Sequence, residues 1–457
     1  MGPESEAFVA FALTGGETEY NFVFMRSGPA ILQSRRTLLR FLLGSPLLLA
    51  ARPMAAAEEL LEAIAQCEPD LSPVGELITS PEGAINVFDF QAVARQKLSP
   101  GHYAYLATGV DHERGLHANR AGFGRFGLRP RRMIDVTDLD TSIEVLGAKL
   151  ASPIVLAPAG MQSAFHPDAE VAVARAARDA DWLQILSTAS SKSLDEVVDA
   201  RGGPVWAMIV APRFWPLTRW QLRRAEDAGC PVVVITVDYV GFGSQDRLRH
   251  FRGPGGMFRT RENPTCEGCH GSGELVRVGK VLTWFGRDPV ELASDLLTLD
   301  WDIVDRIRDA TSMKVVLKGI LTHEDAALAV EHGVDGIIVS NHGARQIDNS
   351  LSTIEVLPEI VRAVDGHIPV LIDSGFRRGT DVFTALALGA SAVCIGRPYL
   401  WGLSAFGEEG VAGVLTVLRR EFETVMRHMG TRDIASITAD FAAGPRSASD
   451  LSGTARA

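Results

Sequence analysis

Residues 315–343 read VVLKGILTHEDAALAVEHGVDGIIVSNHG, and this stretch contains one complete unit of the fold. Two short apolar runs, Val315–Lys318 and Gly336–Ser340, flank a stretch of helical period at Glu324–His332, which Gly333 ends. Apolar runs of this length around a helix are typical of parallel strands joined by a crossover helix, and glycine commonly ends a helix. The stretch therefore predicts two neighbouring strands of a parallel sheet.

The same unit repeats along the chain from residue 150 onward. The eight predicted strands are Ile154–Ala157, Leu183–Ser187, Val205–Val210, Val232–Val237, Val315–Lys318, Gly336–Ser340, Val370–Asp373 and Ala392–Gly396. Further predicted helices are Asp168–Ala180, Thr218–Ala228, Ile354–Val364 and Asp381–Leu388, with Gly229 and Gly389 as stops. Eight such units predict an α/β fold of the (β/α)8 TIM-barrel type. A doubly wound sheet is disfavoured because Gly241-Phe242-Gly243 lacks the third glycine of a dinucleotide fingerprint.

The first 57 residues are predicted to be a twin-arginine export signal. Arg35-Arg36 precedes an apolar run from Phe41 to Ala51, and Ala55-Ala56-Ala57 offers a cleavage site of small residues. The alternative is an amphipathic surface helix. Residues 1–24 add no signal feature, so Met25 is an alternative start. Export implies a periplasmic or otherwise extracytoplasmic protein, and a cytoplasmic protein is expected if the signal interpretation is wrong.

The rest of the chain divides into three predicted regions. Residues 58–149 are expected to form an N-terminal helical cap, residues 150–435 the barrel, and residues 436–457 a flexible C-terminal tail. Within the barrel, residues 240–290 form a long non-periodic loop after the fourth strand. Because long loops in compact domains are usually functional or mobile, we expect a lid there.

Composition indicates a soluble globular enzyme that acts on small molecules. The chain has 457 residues, of which 46% are hydrophobic, and a formal net charge of −11. A negative balance argues against a protein that binds nucleic acid through phosphate contacts.

Reactive side chains follow five consecutive predicted strands. A lone lysine or aspartate at a strand end is usually a surface or capping residue, but barrel active sites lie where the strands end. The set therefore predicts an active site, and it comprises Thr236, Asp238, Lys318, Ser340, His342, Arg345, Asp373, Arg377, Gly396 and Arg397.

Four motifs in this set carry a family resemblance. They are Val316-Leu317-Lys318-Gly319, residues 340–348, residues 373–381, and Ile395-Gly396-Arg397-Pro398. Together they resemble the FMN-dependent 2-hydroxy acid oxidase and dehydrogenase family, over roughly residues 83–435. The resemblance implies FMN as cofactor, a small 2-hydroxy acid as substrate, and a homo-oligomer such as a tetramer. The electron acceptor (a quinone, a cytochrome or oxygen) stays open.

The resemblance assigns the reacting groups. His342 is expected to be the base, which suits an imidazole with a pKa near operating pH, and Asp238 is expected to orient it. Arg345 is expected to grip the substrate carboxylate through two parallel hydrogen bonds, with Tyr105 as a second contact. Lys318 is expected to stabilise negative charge on the reduced flavin.

The resemblance also assigns the FMN contacts. Gly375, Arg377, Gly396 and Arg397 are expected to hold the phosphate, and Asp373 the ribityl hydroxyls. Gly160 stands where family oxidases commonly have alanine and mandelate dehydrogenase has glycine, which favours a dehydrogenase. The flavin itself is expected to be lined by Ala159, Gly160, Ser187, Thr236, Lys318 and Ser340.

The family pattern breaks at two places. The family usually has glutamine and tyrosine at the positions assigned to Ala207 and Ile209 on the third strand, and Gln245 replaces an arginine, with Arg247 or Arg249 as substitutes. The pocket is therefore expected to be more apolar, for a larger or more hydrophobic acid. The alternatives are an FMN oxidoreductase for another substrate class and an inactive barrel.

One cysteine motif lies outside the resemblance. Cys266-Glu267-Gly268-Cys269-His270 matches a haem c attachment motif, although a loop disulfide or plain thiols are alternatives. No metal site is predicted. Cys230 and Cys394 are expected in the core.

Overall fold

The computed structural model describes residues 8–15, 19–26, 77–210, 215–240, 243, 245–250 and 299–444. The chain divides into two compact units, residues 1–67 and 68–457. In the first unit, strand β1 (Phe8–Gly15) pairs antiparallel with β2 (Glu19–Arg26). The arginine pair and the apolar run of the predicted export signal lie outside the described residues, so that interpretation remains a prediction.

The second unit begins with a segment that is only partly helical. Its helices are α1 (Val87–Lys97), α2 (Pro100–Ala107) and α3 (Arg114–Ala121), and we call residues 87–121 the cap. Three short strands follow, namely β3 (Gly127–Leu128), β4 (Ile143–Val145) and β5 (Ala148–Leu150). The prediction of helix throughout this region was therefore wrong after residue 121. Cap and barrel also form one compact unit rather than two domains.

Eight parallel strands form the barrel. They pair in the order β7 to β13 and then β6, and a bridge between Leu156 and Gln184 closes the ring. All eight predicted strands are confirmed, as β6 (Ile154–Leu156), β7 (Ile185–Ser187), β8 (Trp206–Val210), β9 (Val232–Thr236), β10 (Lys314–Ile320), β11 (Gly336–Val339), β12 (Val370–Ile372) and β13 (Ala392–Ile395).

A helix follows each barrel strand. The last one bends at Phe406 and Gly407, where the backbone leaves helical geometry. The helices, with a short extra one after β9, are α4 (Ala169–Ala180), α5 (Leu194–Arg201), α6 (Trp215–Asp227), α7 (Asp246–His250), α8 (Trp301–Arg308), α9 (His323–Glu331), α10 (Thr353–Val364), α11 (Gly379–Ala387) and α12 (Arg397–Met429). No helix in the described ranges is long and apolar enough to cross a membrane.

The barrel strands alternate between an outer and an inner core. One set of side chains packs between strands and helices. The other set fills the barrel and includes Met208, Val234, Val316 and Leu371. Val145 and Leu150 of β4 and β5 join this inner set. Because β5 leads directly into the first barrel strand, this pair forms a floor at the N-terminal end.

The predicted flexible tail is ordered at its start. Strand β14 (Ala442–Ala443) pairs antiparallel with β3. Phe441 is buried and meets the Phe383 ring edge to face, with ring centres 5.9 Å apart. The prediction of flexibility was therefore wrong for residues 436–444, because an apolar ring anchors this segment. Residues 251–298, with most of the predicted lid and the Cys266–His270 motif, lie outside the described residues.

Candidate active site

The C-terminal end of the barrel, here called the mouth, carries a polar layer. On five of the eight strands, the inward position two residues beyond the inner core holds Ser187, Thr236, Lys318, Ser340 or Asp373, and all five are buried. Side chains on a strand alternate between its faces, so these five residues all point into the barrel near its C-terminal end. Five of the predicted site residues therefore lie together.

Lys318 is the central cation of this layer. Its Nζ donates to Ser340 Oγ at 2.8 Å and lies 3.2 Å from Asp373 Oδ2. Burial alone would lower the pKa of Lys318, but the carboxylates of Asp373 and Asp238 outweigh burial and raise the pKa. Lys318 therefore carries its charge at neutral pH, where it can stabilise an anion.

His342 and Asp238 form a hydrogen-bonded pair above this layer. The chain turns sharply after β11, with a φ of +58° at His342, and the imidazole Nδ1 lies 2.9 Å from Asp238 Oδ1. Burial would raise the pKa of Asp238, but the bond from His342 and the charge of Lys318 lower it. Because an ionised carboxylate only accepts hydrogen bonds, Nδ1 donates, and Nε2 is the nitrogen that can take a proton.

Arg345 lies against the cap. Its guanidinium stacks over the Tyr105 ring, 4.6 Å from the ring centre. Nη1 donates to the carbonyls of Tyr105 and Thr108 at 2.8 and 3.0 Å. No hydrogen bond from Nη2 or Nε to another described residue is found, so an edge of the guanidinium remains for a carboxylate.

A candidate anion site lies where α12 begins. Gly396 precedes this helix, and a side chain there would meet no atom within 4 Å among the described residues. Arg397 is half-buried beside it and donates to the carbonyls of Leu106, Thr108 and Gly343 at 3.0 to 3.1 Å. Burial and the nearby Arg345 charge lower the pKa of Arg397 to about 9. A helix N-terminus beside a cation suits a phosphate.

Two further residues predicted to hold the phosphate lie on the loop after β12, the seventh barrel strand; this loop is here called the seventh loop. Arg377 is buried over the Trp401 ring, 4.8 Å from its centre, and donates to the Phe376 carbonyl at 2.8 Å. Gly375 has a φ of +92° and touches the Asn119 carbonyl of α3 so closely that a side chain would not fit. Gly375 therefore joins the seventh loop to the cap.

The loops after β6 and β7, the first two barrel strands, contact each other through packing and hydrogen bonds. Gly160 packs on Ala189, Met161 N donates to the Ala189 carbonyl at 2.9 Å, and Ser187 Oγ accepts from Ala189 N at 3.1 Å. Ala159 precedes Gly160 on the first of these loops. The predicted flavin-lining residues Ala159, Gly160 and Ser187 thus belong to one connected wall.

Sequence reasoning missed the carboxylate that holds this wall. Glu170 on α4 is fully buried and accepts backbone hydrogen bonds from Gln162, Ser191 and Lys192 at 3.2, 2.8 and 3.2 Å. The only signal was an acidic residue in the first turn of a helix, which also favours the helix dipole.

For β8, the third barrel strand, the prediction of which residues face the mouth was wrong by one residue. Ala207 and Ile209 pack outward in the core between strands and helices. Met208 and Val210 face the interior, since they pair in register with Ser187 and Thr236. The wall is still apolar, but Met208 and Val210 form it.

After β9, the described residues up to His250 contact the cap. Arg247 does not approach His342 as a substitute for the family arginine; instead it pairs with Glu113, with Nη1 2.6 Å from Oε2. Glu113, a second missed residue, also accepts from Gly109 N at 3.1 Å. Gln245 keeps its buried Oε1 without a partner among the described residues, and the Arg249 side chain lies outside them.

Two buried oxygens test the fit of FMN to this mouth. Thr236 Oγ1 and Asp238 Oδ2 have no hydrogen-bond partner in the described part of the chain. Buried polar atoms without partners are rare in native proteins, and a ligand bound in the mouth would supply partners for these two. With the open space at Gly396 and the cations Lys318 and Arg397, the residues fit a flavin with a phosphate group.

The fold and site define a class, an FMN-dependent oxidoreductase built on a (β/α)8 barrel and acting on a CH–OH group. The profile of the FMN-dependent dehydrogenase family matches residues 94–443, and the chain belongs to this family. A peroxisomal (S)-2-hydroxyacid oxidase of Arabidopsis thaliana is 38% identical over 78% of this chain and 95% of its own length. Glycolate oxidase of Spinacia oleracea is 38% identical over 77% and 94%.

Solved structures agree with this assignment. Mandelate oxidase has a TM-score of 0.66 and 37% identity, over 78% of this chain and 97% of its own. A chimera of (S)-mandelate dehydrogenase has a TM-score of 0.69 and 33% identity, over 79% and 99%.

Proposed function

We propose that this protein oxidises a 2-hydroxy acid with an apolar side chain to the 2-oxo acid. The observation that carries the proposal is the pairing of His342 with Asp238, three residues before Arg345 on the same loop. A base and a carboxylate anchor at this spacing suit a substrate whose hydroxyl and carboxylate lie on adjacent carbons. Relatives named for 2-hydroxyacid, glycolate and mandelate support the same substrate class.

Each residue then has a defined task. Arg345 and Tyr105 hold the carboxylate, His342 Nε2 takes a proton, and Asp238 stabilises the resulting imidazolium. FMN, when bound, accepts two electrons and one proton, so the substrate loses the hydrogens on C2 and on its hydroxyl. When FMN is bound, Lys318 would offset negative charge on the reduced flavin, Thr236, Ser340 and Asp373 would offer hydrogen bonds, and Arg397 would hold the phosphate.

The apolar third strand supports a substrate larger than glycolate. Val210 offers only hydrocarbon surface toward the mouth, and Met208 lies below it in the inner core. Burying an apolar substituent there contributes roughly 25 cal/mol per Å². We expect 2-hydroxy acids with aromatic or branched side chains to have higher kcat/KM than glycolate.

Anaerobic flavin bleaching tests the reaction. The purified protein is mixed with 2-hydroxy acids of increasing side-chain size, and with alcohols that lack the carboxylate. Bleaching by the acids and not by the alcohols supports the proposal. Bleaching by the alcohols alone favours a different substrate class, for which the substitution of an arginine by Gln245 is the supporting feature. A yellow protein that no acid bleaches contradicts the proposal.

We propose further that the protein is a dehydrogenase rather than an oxidase, on the basis of Gly160. The test is reoxidation by oxygen compared with a quinone or dye. Gly160→Ala is expected to raise the oxygen rate. The new methyl would lie 2.7 Å from Ala189 Cβ and 2.9 Å from the Ala189 carbonyl oxygen, so Gly160→Ala combined with Ala189→Gly removes the closer of these two contacts. Unchanged oxygen rates in both variants would remove the argument.

Export through the twin-arginine route is our proposal for localisation. Arg35-Arg36, the apolar run and the alanines at 55–57 support it. Replacement of both arginines by lysine should retain the protein in the cytoplasm. An absorbance spectrum of the exported protein would distinguish a protein with flavin alone from one that also carries haem c at Cys266, Cys269 and His270. Gel filtration would give the oligomeric state.

A further inference from the structure

We infer that Tyr239 contacts the substrate, and that its hydroxyl donates a hydrogen bond to the 2-oxygen of the hydroxy acid. This inference rests on the proposed function and adds a residue to its site. None of the motifs that carry the family resemblance includes Tyr239. It directly follows Asp238, the partner of the base.

Tyr239 lies beside the imidazole. Its ring centre is 6.0 Å from that of His342, with 35° between the planes. Asp238 holds Nδ1, so the reacting hydroxyl meets the ring through Nε2. Tyr239 is half-buried, and its ring contact with His342 places it next to the base. A phenol in this position is within side-chain reach of a group bound at Nε2.

The neighbouring wall explains why a donor is needed from this strand. At the mouth, the inward residue of β8 is Val210, which has no O–H or N–H in its side chain. Val210 pairs in register with Thr236 at the end of β9, three residues before Tyr239. The family tyrosine expected on the third strand is missing, and Tyr239 supplies a phenol from the next strand.

The hydroxyl would act on charge that develops during the reaction. As the substrate hydroxyl loses its proton, negative charge grows on the 2-oxygen. A donor aimed at developing charge stabilises the transition state more than the ground state. Its removal should therefore lower kcat more than it raises KM.

The test is Tyr239→Phe, which removes one oxygen atom and keeps the ring. We expect kcat/KM for the best 2-hydroxy acid to fall about 10- to 1,000-fold, mostly in kcat, with FMN content unchanged. Tyr103→Phe is the matched control, because the Tyr103 hydroxyl accepts a hydrogen bond from Gln91 at 3.3 Å in the cap. That variant should keep kcat/KM within about twofold of wild type.

Three results would be decisive. Wild-type kinetics in Tyr239→Phe overturn this inference and leave the proposed function intact. Loss of activity in Tyr239→Leu but not in Tyr239→Phe also overturns it, since the ring and not the hydroxyl would then matter. A wild-type protein that no hydroxy acid bleaches would instead overturn the proposed function.

Discussion

The inner core and the polar layer of the barrel come from the same strands and differ completely in chemistry. Val234, Val316, Ile338 and Leu371 are apolar and fully buried. Two residues further along, the same strands carry Thr236, Lys318, Ser340 and Asp373. A step of two residues spans roughly 7 Å. Each strand thus contributes one residue to the stability of the barrel and, two residues later, one residue to its chemistry. Substitutions in the inner core should change unfolding free energy, and substitutions in the polar layer should change kinetics.

The largest effect is expected from His342→Ala, which alters chemistry alone. Loss of the base should slow anaerobic bleaching by about 100- to 10,000-fold. FMN content should not change, because Lys318, Arg397 and the loop backbone remain. His367→Ala serves as control, because His367 lies on the loop after α10 and its imidazole contacts the Val364 carbonyl instead of a site residue. Bleaching at the wild-type rate would disprove the assignment of the base.

Lys318→Met should break the separation between the layers. It removes a cation needed at the flavin and leaves the Asp373 carboxylate buried without its partner, which should cost about 3–5 kcal/mol of unfolding free energy. The folded pKa of Lys318 is raised, so its contribution is complete below pH 10.5, the ordinary pKa, and is lost as pH rises through the folded pKa. Urea unfolding at neutral pH therefore measures the full effect. Exposed Lys149→Met is the control, and equal stability of the two variants would contradict the prediction.

Leu371→Ala should alter stability alone. The side chain is fully buried in the inner core, and its truncation should lower the unfolding free energy by about 2–5 kcal/mol. The kcat of the folded protein should remain close to wild type. Leu351→Ala, at a position 65% exposed, should change stability by less than about 0.5 kcal/mol. A fall in kcat without a loss of stability would show that the layers are not independent.

The smallest effect is expected from Glu170→Gln, beneath the wall that carries Gly160. The amide places an N–H₂ group where one carboxylate oxygen accepted a backbone bond, which should cost about 1–3 kcal/mol. FMN affinity, measured by fluorescence titration, should weaken with it. Exposed Glu331→Gln should leave both quantities unchanged. Unaltered FMN affinity in Glu170→Gln would limit the role of Glu170 to stability.

The sequence predicted the order of the elements well and the direction of side chains less well. Parallel strands buried on both faces are apolar throughout, which makes the strands easy to find. The same uniformity removes the alternation that would show which residues face inward. The resemblance assigned Ala207 and Ile209 to the mouth, and the uniformly apolar strand offered no alternation that would have corrected the assignment to Met208 and Val210.

Site residues that lie within the sequence motifs were predicted, and buried carboxylates outside those motifs were not. His342, Arg345 and Lys318 belong to motifs that carry the resemblance. Glu170 and Glu113 look like ordinary surface carboxylates in sequence, because burial depends on loops that meet only in the folded chain. Phe441 was missed for the same reason, since its partner Phe383 is distant in sequence.

The floor formed by β4 and β5 determines how substrate enters the site and how product leaves it. A barrel filled with side chains is not a pore, and Val145 and Leu150 add a further apolar seal at its lower end. Substrate and product must therefore use the same entrance. A 2-oxo acid that lingers there occupies the path of the next hydroxy acid, so the rate of product departure belongs to the turnover as much as the proton transfer does.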